Sequence, residues 1–578
     1  MSSSTAQAEP EAHSLKPPLG ISDFGRICRD GYTFIDKTLL IRDILADGAQ
    51  VTLITRPRRF GKTLNLSMLH HFFASRVAGH ATRRMFRGLA ISEDREAMRH
   101  QGRYSVVFVT LKDIKEATFE ATLEKMAHVM SSLFGQHRDL AGSARLAPER
   151  LTDFKQILAR TARPTTLANS LKLLCDCLHS HHGKPVILLI DEYDSPMHAG
   201  YTHGYFDEIA GFMRGLLGSA LKDNPALHKA VLTGILRVSK ESLFSGLNNI
   251  EVNTVLSTDY ARWFGFTEKD VAELLMLLPL EAPDREALAE RIRGWYNGYR
   301  FGNQTVHNPW SILSCLKHDG LMQPYWVNTS DNALLKAVMA RALADIKKRL
   351  EDLVRGEILE LTFDPNLAFR GLDGGGDALW SLLVFTGYLT AADPRYERTG
   401  YVRCRLSIPN EEVLGLYERN FTEWFTDRMS AEGYRAFLDC LLAGKLEEFR
   451  LLLEGYLLES MSLFDASGLH PENFYHGLVL GLMFGLRETH VVYSNRESGF
   501  GRYDVALLPK QAGGMGIVME FKRVDDPARI DAAADQALRQ VDERWYHTEL
   551  LQHGVARVLK IGMALSGKQV RMRSAMAA

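Results

Sequence analysis

A Gly-Lys-Thr tripeptide stands where a strand would meet a helix. Gly61, Lys62 and Thr63 follow the short apolar run 51–55 and precede an amphipathic stretch with helical periodicity. Backbone N–H groups at such a helix start bind phosphates, the lysine reaches the terminal phosphates, and the hydroxyl reaches Mg²⁺. The tripeptide therefore predicts a site for ATP and Mg²⁺, with Thr63 on the metal. The alternative is a plain helix N-terminus beside a solvated basic loop.

The loop before this tripeptide departs from the usual pattern G-x-x-x-x-G-K-[ST], which would place a glycine at position 56. This chain has Arg56 there, followed by Arg58 and Arg59. These cations are either additional phosphate ligands or a basic surface. We predict that Arg58 and Arg59 join Gly61 and Lys62 in binding the nucleotide.

A second apolar run, 186–190, ends in a pair of acids, Asp191 and Glu192. Phosphoryl transfer uses one carboxylate near Mg²⁺ and another that orients the attacking water, and both belong at the carboxyl end of a parallel strand. We predict that Asp191 binds the metal with Thr63 and that Glu192 is catalytic. Taken alone, such a pair is more often a helix cap. Asp194 is interpreted as a spare acid, at an N-cap or on the surface.

A third apolar run, 230–236, contains Thr233 and is followed by Arg237. A polar or cationic side chain at the exit of such a strand could sense the γ-phosphate of the nucleotide, so Arg237 is a candidate ligand. The equally weighted alternative is a polar strand end followed by a surface arginine.

A separate set of charged residues lies near the C-terminus. In the apolar stretch 516–524, the alternation of a strand puts Glu520 and Lys522 on the same face. Asp504 lies on the preceding strand of an expected hairpin. Two carboxylates on a divalent cation, with a lysine to steady the attacking water, suffice for phosphodiester hydrolysis. We predict all three as catalytic residues and the two acids as metal ligands; the alternative is the exposed face of an edge strand.

The elements that must position these residues follow from periodicity. Residues 19–280 alternate short runs rich in Val, Ile and Leu with helical stretches, which predicts a parallel sheet with helices on both faces. Residues 281–464 have the periodicity of a helical middle region, and 465–578 read as a small C-terminal α/β unit. Residues 1–18 are polar and Pro-rich, which predicts a flexible tail.

Composition sets the outer limits. The 578 residues have a formal net charge of −1, so contact with nucleic acid must come from local basic patches. Six cysteines without a CxxC pair indicate a reducing compartment. The N-terminus lacks the features of a secretory signal and no run of 18 apolar residues occurs. We therefore expect a cytoplasmic protein with no membrane partner.

Several long strings together resemble a known family. They are 18-PLGISDFGRI-27, 54-ITRPRRFGKTLNLSML-69, 188-LLIDEYDSP-196, 494-SNRESGFGRYDV-505 and 518-VMEFK-522. The chain is similar to bacterial and archaeal proteins with an N-terminal AAA-ATPase-like P-loop domain and a C-terminal PD-(D/E)XK domain of the restriction-endonuclease-like fold.

The resemblance makes Arg56 a family trait. It implies ATP and Mg²⁺ at Lys62, Thr63, Asp191 and Glu192. It also implies a metal-dependent nuclease site, using Mg²⁺ or Mn²⁺, at Asp504, Glu520 and Lys522, with Glu472 as an additional acid and metal ligand.

The leading hypothesis is an ATPase whose nucleotide state gates a nuclease acting on DNA or RNA, with a homo-oligomer and a role in defence against foreign nucleic acid as expectations. The alternative is a nucleotide-dependent switch that binds nucleic acid or a protein partner without cleaving. The aromatic-rich segment 295–310 is either a partner contact or, as aromatic residues more often are, part of a core. Segment 324–332 is interpreted as structural.

Overall fold

The computed structural model describes the chain in sixteen ranges. They are residues 15–237, 249–327, 344–354, 356–366, 376–417, 431–460, 483–486, 489–494, 497–498, 501–502, 504–511, 513–524, 526–544, 550–551, 553–567 and 569–577. The chain divides into an N-terminal unit, Met1–Arg341 with Ile358–Val413, and a C-terminal unit, Ala342–Glu357 with Leu414–Ala578. The N-terminal unit continues well past residue 280; the domain boundaries given above stay predictions.

A five-stranded parallel sheet forms the centre of the N-terminal unit, in the order β2-β3-β4-β1-β5. Its strands are β1 (Val51–Thr55), β2 (Ser105–Thr110), β3 (Val186–Asp191), β4 (Leu227–Gly234) and β5 (Ile250–Asn253). Every residue of β1 and β3 is buried, as expected for apolar strands covered on both faces. The four strands expected from the apolar runs are present, and the predicted α/β class is confirmed.

Helices connect these strands and continue beyond them. In the N-terminal unit they are α1 (Phe24–Arg29), α2 (Leu40–Ala46), α3 (Lys62–Phe73), α4 (Arg95–Met98), α5 (Phe119–Gly135), α6 (Pro148–Leu158), α7 (Pro164–Leu167), α8 (Ser170–His182), α9 (Ser195–His203), α10 (Phe206–Leu221), α11 (Glu268–Met276), α12 (Ala282–Tyr296) and α13 (Pro309–Lys317). Short 3₁₀ segments lie at Arg83–Phe86, Ala90–Glu93, Arg138–Gly142 and Ala261–Trp263, and Arg76–Val77 pairs with His80–Ala81.

The region predicted to be a helical middle contains helices and also strands that the sequence did not indicate. A hairpin joins β6 (Tyr299–Phe301) to β7 (Gln304–Val306). A three-stranded antiparallel sheet has the order β8-β10-β9, with β8 (Leu359–Phe363), β9 (Thr390–Tyr396) and β10 (Val402–Ser407). Besides α12 and α13, the described helices of this region are α14 (Ala344–Val354), α15 (Gly376–Thr386), α16 (Ala431–Leu442) and α17 (Leu446–Ser460).

The C-terminal unit contains a mixed five-stranded sheet in the order β11-β12-β13-β14-β15. Its strands are β11 (His490–Ser494), β12 (Val505–Pro509), β13 (Gly516–Arg523), β14 (Val558–Ser566) and β15 (Gln569–Ala577). The crossover between the parallel strands β13 and β14 contains α18 (Ile530–Glu543). Smaller elements are the 3₁₀ segments Phe484–Leu486 and Pro527–Arg529 and the pairing of Glu497–Ser498 with Gly501–Arg502.

Helix α18 packs directly on the backbone of β14. A Cβ added at Gly562 would lie 2.3 Å from the backbone nitrogen of Leu538, so only glycine allows this approach. Gly562 pairs with Glu520 on β13. The close packing therefore brings α18 over the face that carries the predicted nuclease residues. Within the described ranges, no helix combines the length and apolar character needed to cross a membrane.

Candidate functional site

The loop between β1 and α3 has the backbone geometry of an anion site. Arg59 and Gly61 adopt positive φ values of 68° and 84°, which turns the chain sharply into the helix. The first bond along α3 runs from Asn65 N–H to the Gly61 carbonyl at 2.9 Å. The N–H groups of residues 62–64 therefore have no acceptor within the helix, and they lie at its positive end.

Lys62 folds back onto this loop. Its Nζ donates to the carbonyl oxygens of Arg56 and Pro57, both at 3.0 Å, and the side chain is buried. An ammonium group has three donors, so these two bonds leave one for a further acceptor.

Thr63 and Asp191 meet, as the magnesium prediction requires. Thr63 Oγ1 donates to Asp191 Oδ2 at 2.8 Å. Because β4 lies between β1 and β3, Thr233 also reaches the carboxylate and donates to Oδ1 at 2.8 Å. Burial raises the pKa of Asp191, while the two hydroxyl bonds oppose that shift. A buried carboxylate beside a helix N-terminus and a hydroxyl is a donor set suited to Mg²⁺.

Glu192 is held in an unfavourable backbone conformation. Its φ is 53°, a left-handed value that costs a non-glycine residue on the order of 1–3 kcal/mol. The half-buried side chain accepts a hydrogen bond from Ser195 Oγ at 3.2 Å. Such strain concentrates at functional positions, which agrees with the predicted role next to Asp191.

Of the two positions predicted for Asp194, the surface is wrong, whereas the N-cap position is the one it occupies. It occupies the N-cap position of α9 without a capping bond from its side chain, and it is fully buried. Its Oδ2 accepts the N–H groups of Ile235 and Leu236, both at 2.9 Å. The carboxylate therefore fixes the exit of β4.

Arg56 is a core residue, and neither interpretation of its charge holds. Its Nη1 donates to the carbonyl oxygens of Thr55 at 2.8 Å and Asn253 at 3.0 Å, and Nη2 donates to that of Asp259 at 3.3 Å. The guanidinium also lies 5.1 Å from the ring centroid of Phe301. Complete burial lowers its pKa to about 9. Arg56 supports the loop from the inside.

Two tryptophans from beyond residue 300 contact the other loop arginines. Trp326 Nε1 donates to the Arg58 carbonyl at 3.1 Å. The Arg59 guanidinium lies 4.2 Å from the ring centroid of Trp310. Tyr299 and Phe301 also contact Phe60 of the loop, so part of the aromatic segment 295–310 packs around the phosphate-binding loop together with Trp326, which the sequence did not predict. The high proportion of aromatic residues in segment 295–310 was the sequence feature that could have indicated this packing.

Glu412 holds Trp326 in place. Its Oε1 accepts the backbone N–H of Trp326 at 2.5 Å, and its Oε2 accepts the Ser311 hydroxyl at 2.8 Å. Burial raises the pKa of this carboxyl to about 7. Nothing in the sequence had marked Glu412.

Arg237 follows β4 and is half-buried. Among the described residues, its buried Nε has no hydrogen-bond acceptor. Its charge acts on Tyr396 of β9. Both interpretations of Arg237 stay open.

The nuclease residues lie on the predicted hairpin. Strands β12 and β13 are antiparallel, with Val505 opposite Met519. Asp504 directly precedes β12, and its Oδ2 accepts the Phe521 N–H at 2.7 Å. The side chain of Asp504 is thereby fixed beside Glu520.

Glu520 is buried, because α18 covers its face. Its Oε1 accepts a hydrogen bond from Gln540 on α18 and lies 3.9 Å from Lys522 Nζ. Strand β13 lies between β12 and β14, so the alternative of an exposed edge strand is wrong.

One oxygen of this carboxylate has no partner. Glu520 Oε2 is buried and finds no hydrogen-bond donor among the described residues. Burial holds the pKa of Glu520 well above its usual range, the Asp504 charge adds to the shift, and Lys522 opposes it. A divalent cation between Asp504 and Glu520 would satisfy that oxygen, so the residues present fit a metal. Glu472, the additional acid, lies outside the described residues.

Comparisons with known proteins identify a family model for each of two regions of the chain. Residues 18–244 match the family model described as Predicted AAA-ATPase, and residues 470–574 match that of the PD-(D/E)XK nuclease superfamily. The resemblance is confirmed: the chain carries an AAA-ATPase-like domain and a C-terminal PD-(D/E)XK domain. It is also 28% identical over 557 residues, 92% of its length and 93% of the relative's, to an "Uncharacterized protein in vnfD 5'region" from Azotobacter chroococcum mcd 1.

Proposed function

We propose that the chain binds and hydrolyses ATP in its N-terminal unit and cleaves phosphodiester bonds of DNA or RNA in its C-terminal unit, with the nucleotide state gating cleavage. The observation that carries the nuclease is the buried Glu520 Oε2 beside Asp504 and Lys522, for which the described part of the chain offers no hydrogen-bond donor. Burying a carboxylate oxygen without a hydrogen-bond donor is unfavourable, and coordination of a metal ion offsets this cost. A cytoplasmic location, a homo-oligomer and a defence role stay predictions.

The ATP site works through fixed donors. The N–H groups of residues 62–64 and the remaining Lys62 donor bind the β- and γ-phosphates, and Arg58 and Arg59 add positive charge at the rim. Thr63 and Asp191 would hold Mg²⁺, which neutralises charge on the phosphates. Glu192 accepts a proton from the attacking water or orients it.

At the nuclease site Asp504 and Glu520 would hold Mg²⁺ or Mn²⁺. A metal there supplies an activated water and polarises the phosphate. Lys522 Nζ, 3.9 Å from Glu520 Oε1, donates to the water or to the developing charge on the phosphate oxygens. Gln540 keeps the Glu520 carboxylate in one orientation.

Cleavage of linear, circular and single-stranded DNA and RNA by the full chain tests the nuclease, with Mg²⁺ or Mn²⁺ and with or without ATP. Glu520→Gln and Lys522→Ala should each abolish metal-dependent cutting. The matched controls are Glu543→Gln and Lys510→Ala, which change exposed side chains of the same unit. Full activity in Glu520→Gln would remove the assignment. No cutting under any condition, with ATP still bound, would support the non-cleaving switch.

Titration with labelled ATP tests the nucleotide site separately. Lys62→Ala should weaken binding by about 10- to 100-fold, since a charge-assisted bond to phosphate is lost. Thr63→Val should weaken binding in Mg²⁺ more than in EDTA. Wild-type affinity in Lys62→Ala would rule out this loop as the ATP site.

A further inference from the structure

Two histidines and an aspartate converge outside both candidate sites. Asp139 lies in the 3₁₀ segment Arg138–Gly142, and His181 and His182 end helix α8. One ligand atom from each of the three side chains lies within 4.8 Å of the other two. None of these residues has a role in the nucleotide or nuclease chemistry described above.

The His181 ring is held by a partner of its own. Its Nδ1 lies 2.7 Å from Ser143 Oγ, and the same oxygen accepts the Arg145 N–H at 3.2 Å. Arg145 Nη1 in turn donates to the His181 carbonyl at 2.6 Å. In the tautomer whose Nδ1–H donates to Ser143, the lone pair of the imidazole is on Nε2, where it can bind a metal. Histidines that bind metals almost always have such an outer partner.

Charges of both signs act on these side chains, since Lys184 and Arg145 lie near His182 together with Asp139. Helix α8 ends at Gly183, and the carboxyl end of a helix carries partial negative charge. Asp139 contributes a full negative charge from the opposite segment.

We propose that Asp139, His181 and His182 bind a first-row transition-metal cation of the Zn²⁺ type. Two imidazoles and one carboxylate supply three ligands of a tetrahedral zinc site, with water as the fourth. Ligand atoms on tetrahedral zinc are about 3.4 Å apart. The ligand atoms would therefore have to approach one another by up to about 1.4 Å, and the metal would join the end of α8 to the 3₁₀ segment.

Calorimetric titration with ZnSO₄ tests the site in the full chain after treatment with EDTA and desalting. The wild type should bind one more equivalent of Zn²⁺ than Asp139→Asn and than His182→Ala. Ser143→Ala should keep the stoichiometry but weaken this site about tenfold, because it loses the partner of His181. The matched control is His203→Ala, an exposed histidine at the end of α9, which should bind like the wild type.

Thermal unfolding gives an independent readout. Zn²⁺ bound to the folded state should raise the melting temperature of the wild type and of His203→Ala, and leave that of Asp139→Asn unchanged. Because Asp139 is exposed, its replacement by asparagine leaves the fold intact. Wild-type stoichiometry and affinity in Asp139→Asn and His182→Ala would overturn the proposal.

Discussion

Arg56 stands where phosphate-binding loops of the common pattern have a glycine, and its contacts explain why the loop still forms. The guanidinium donates hydrogen bonds to three carbonyl oxygens, those of Thr55 at the end of β1, Asn253 at the end of β5 and Asp259 after β5. A pKa lowered to about 9 leaves it charged at neutral pH. The side chain therefore fixes the end of β1 through interactions that a glycine cannot make.

Restoring the common pattern with Arg56→Gly should destabilise the protein instead of improving ATP binding. The change leaves a cavity and carbonyl oxygens without donors, which together cost about 3–5 kcal/mol of unfolding free energy. Urea unfolding followed by tryptophan fluorescence measures the cost. Arg58→Ala, at a half-buried neighbour, is the control and should cost much less. An Arg56→Gly variant as stable as the wild type would contradict the structural role.

Glu412 should make stability depend on pH. Its pKa is raised from 4.5 in the unfolded chain to about 7. Between these values the folded chain keeps a proton that the unfolded chain has released, so the free energy of unfolding falls as pH rises from 4.5 through 7. In Glu412→Gln, the free energy of unfolding should fall by up to about 3 kcal/mol less over this pH range than in the wild type. Denaturant unfolding of the wild type and of Glu412→Gln at pH 5 and pH 8 measures this difference. An equal change of the free energy of unfolding in the two proteins would contradict the prediction.

The sequence was sufficient to predict functional residues that contact one another. Thr63 and Asp191 were paired by chemistry alone, and they touch. The structural roles of Arg56, Trp326 and Glu412 could not be predicted, because these residues contact segments that lie far apart from them in the chain. No local pattern encodes such contacts.

At the level of elements, strands with continuous apolar runs were predictable and alternating ones were not. The strands β1 and β3 are buried throughout and read clearly from the sequence. The strand β10 alternates buried with exposed residues, and most residues of β15 are half-buried or exposed; both strands were missed. Period-two alternation did place Glu520 and Lys522 correctly, but only the packing of α18 shows that their face is covered.

Trp326 connects the middle region to the phosphate-binding loop through one hydrogen bond, from its indole to the Arg58 carbonyl. Trp326→Phe keeps the ring in the core and removes the donor. ATP affinity should fall about fivefold to tenfold, the equivalent of a hydrogen bond of about 1 kcal/mol. The measurement is titration with labelled ATP.

The matched control for that change is Trp263→Phe. The Trp263 indole also donates a hydrogen bond, at 2.7 Å, but to the Asp43 carboxylate and not to the loop. ATP affinity should stay at the wild-type value in this variant. An equal loss of affinity in both variants would mean that general destabilisation, and not the loop contact, is the cause.

On the scale of the whole molecule, the residues that match the AAA-ATPase family model and the residues of the N-terminal unit end at different positions. The match to the AAA-ATPase model ends at residue 244, whereas the N-terminal unit continues to residue 413. Strand β5, which pairs with β1, comes after the matched residues. Trp326 and Glu412 also come after them. The nucleotide site therefore depends on parts of the chain that the match does not include.

A fragment of residues 1–413 should bind ATP and Mg²⁺ within a few-fold of the full chain, whereas a fragment of residues 1–244 should not bind. The shorter fragment leaves β1 as an exposed edge strand, which favours aggregation. It also removes the Asn253 and Asp259 carbonyls from Arg56. Gel filtration and titration with labelled ATP decide the matter, with Lys62→Ala in the longer fragment as the control. A monomeric 1–244 fragment with full affinity would show that β5 and the segments after it are dispensable for the site.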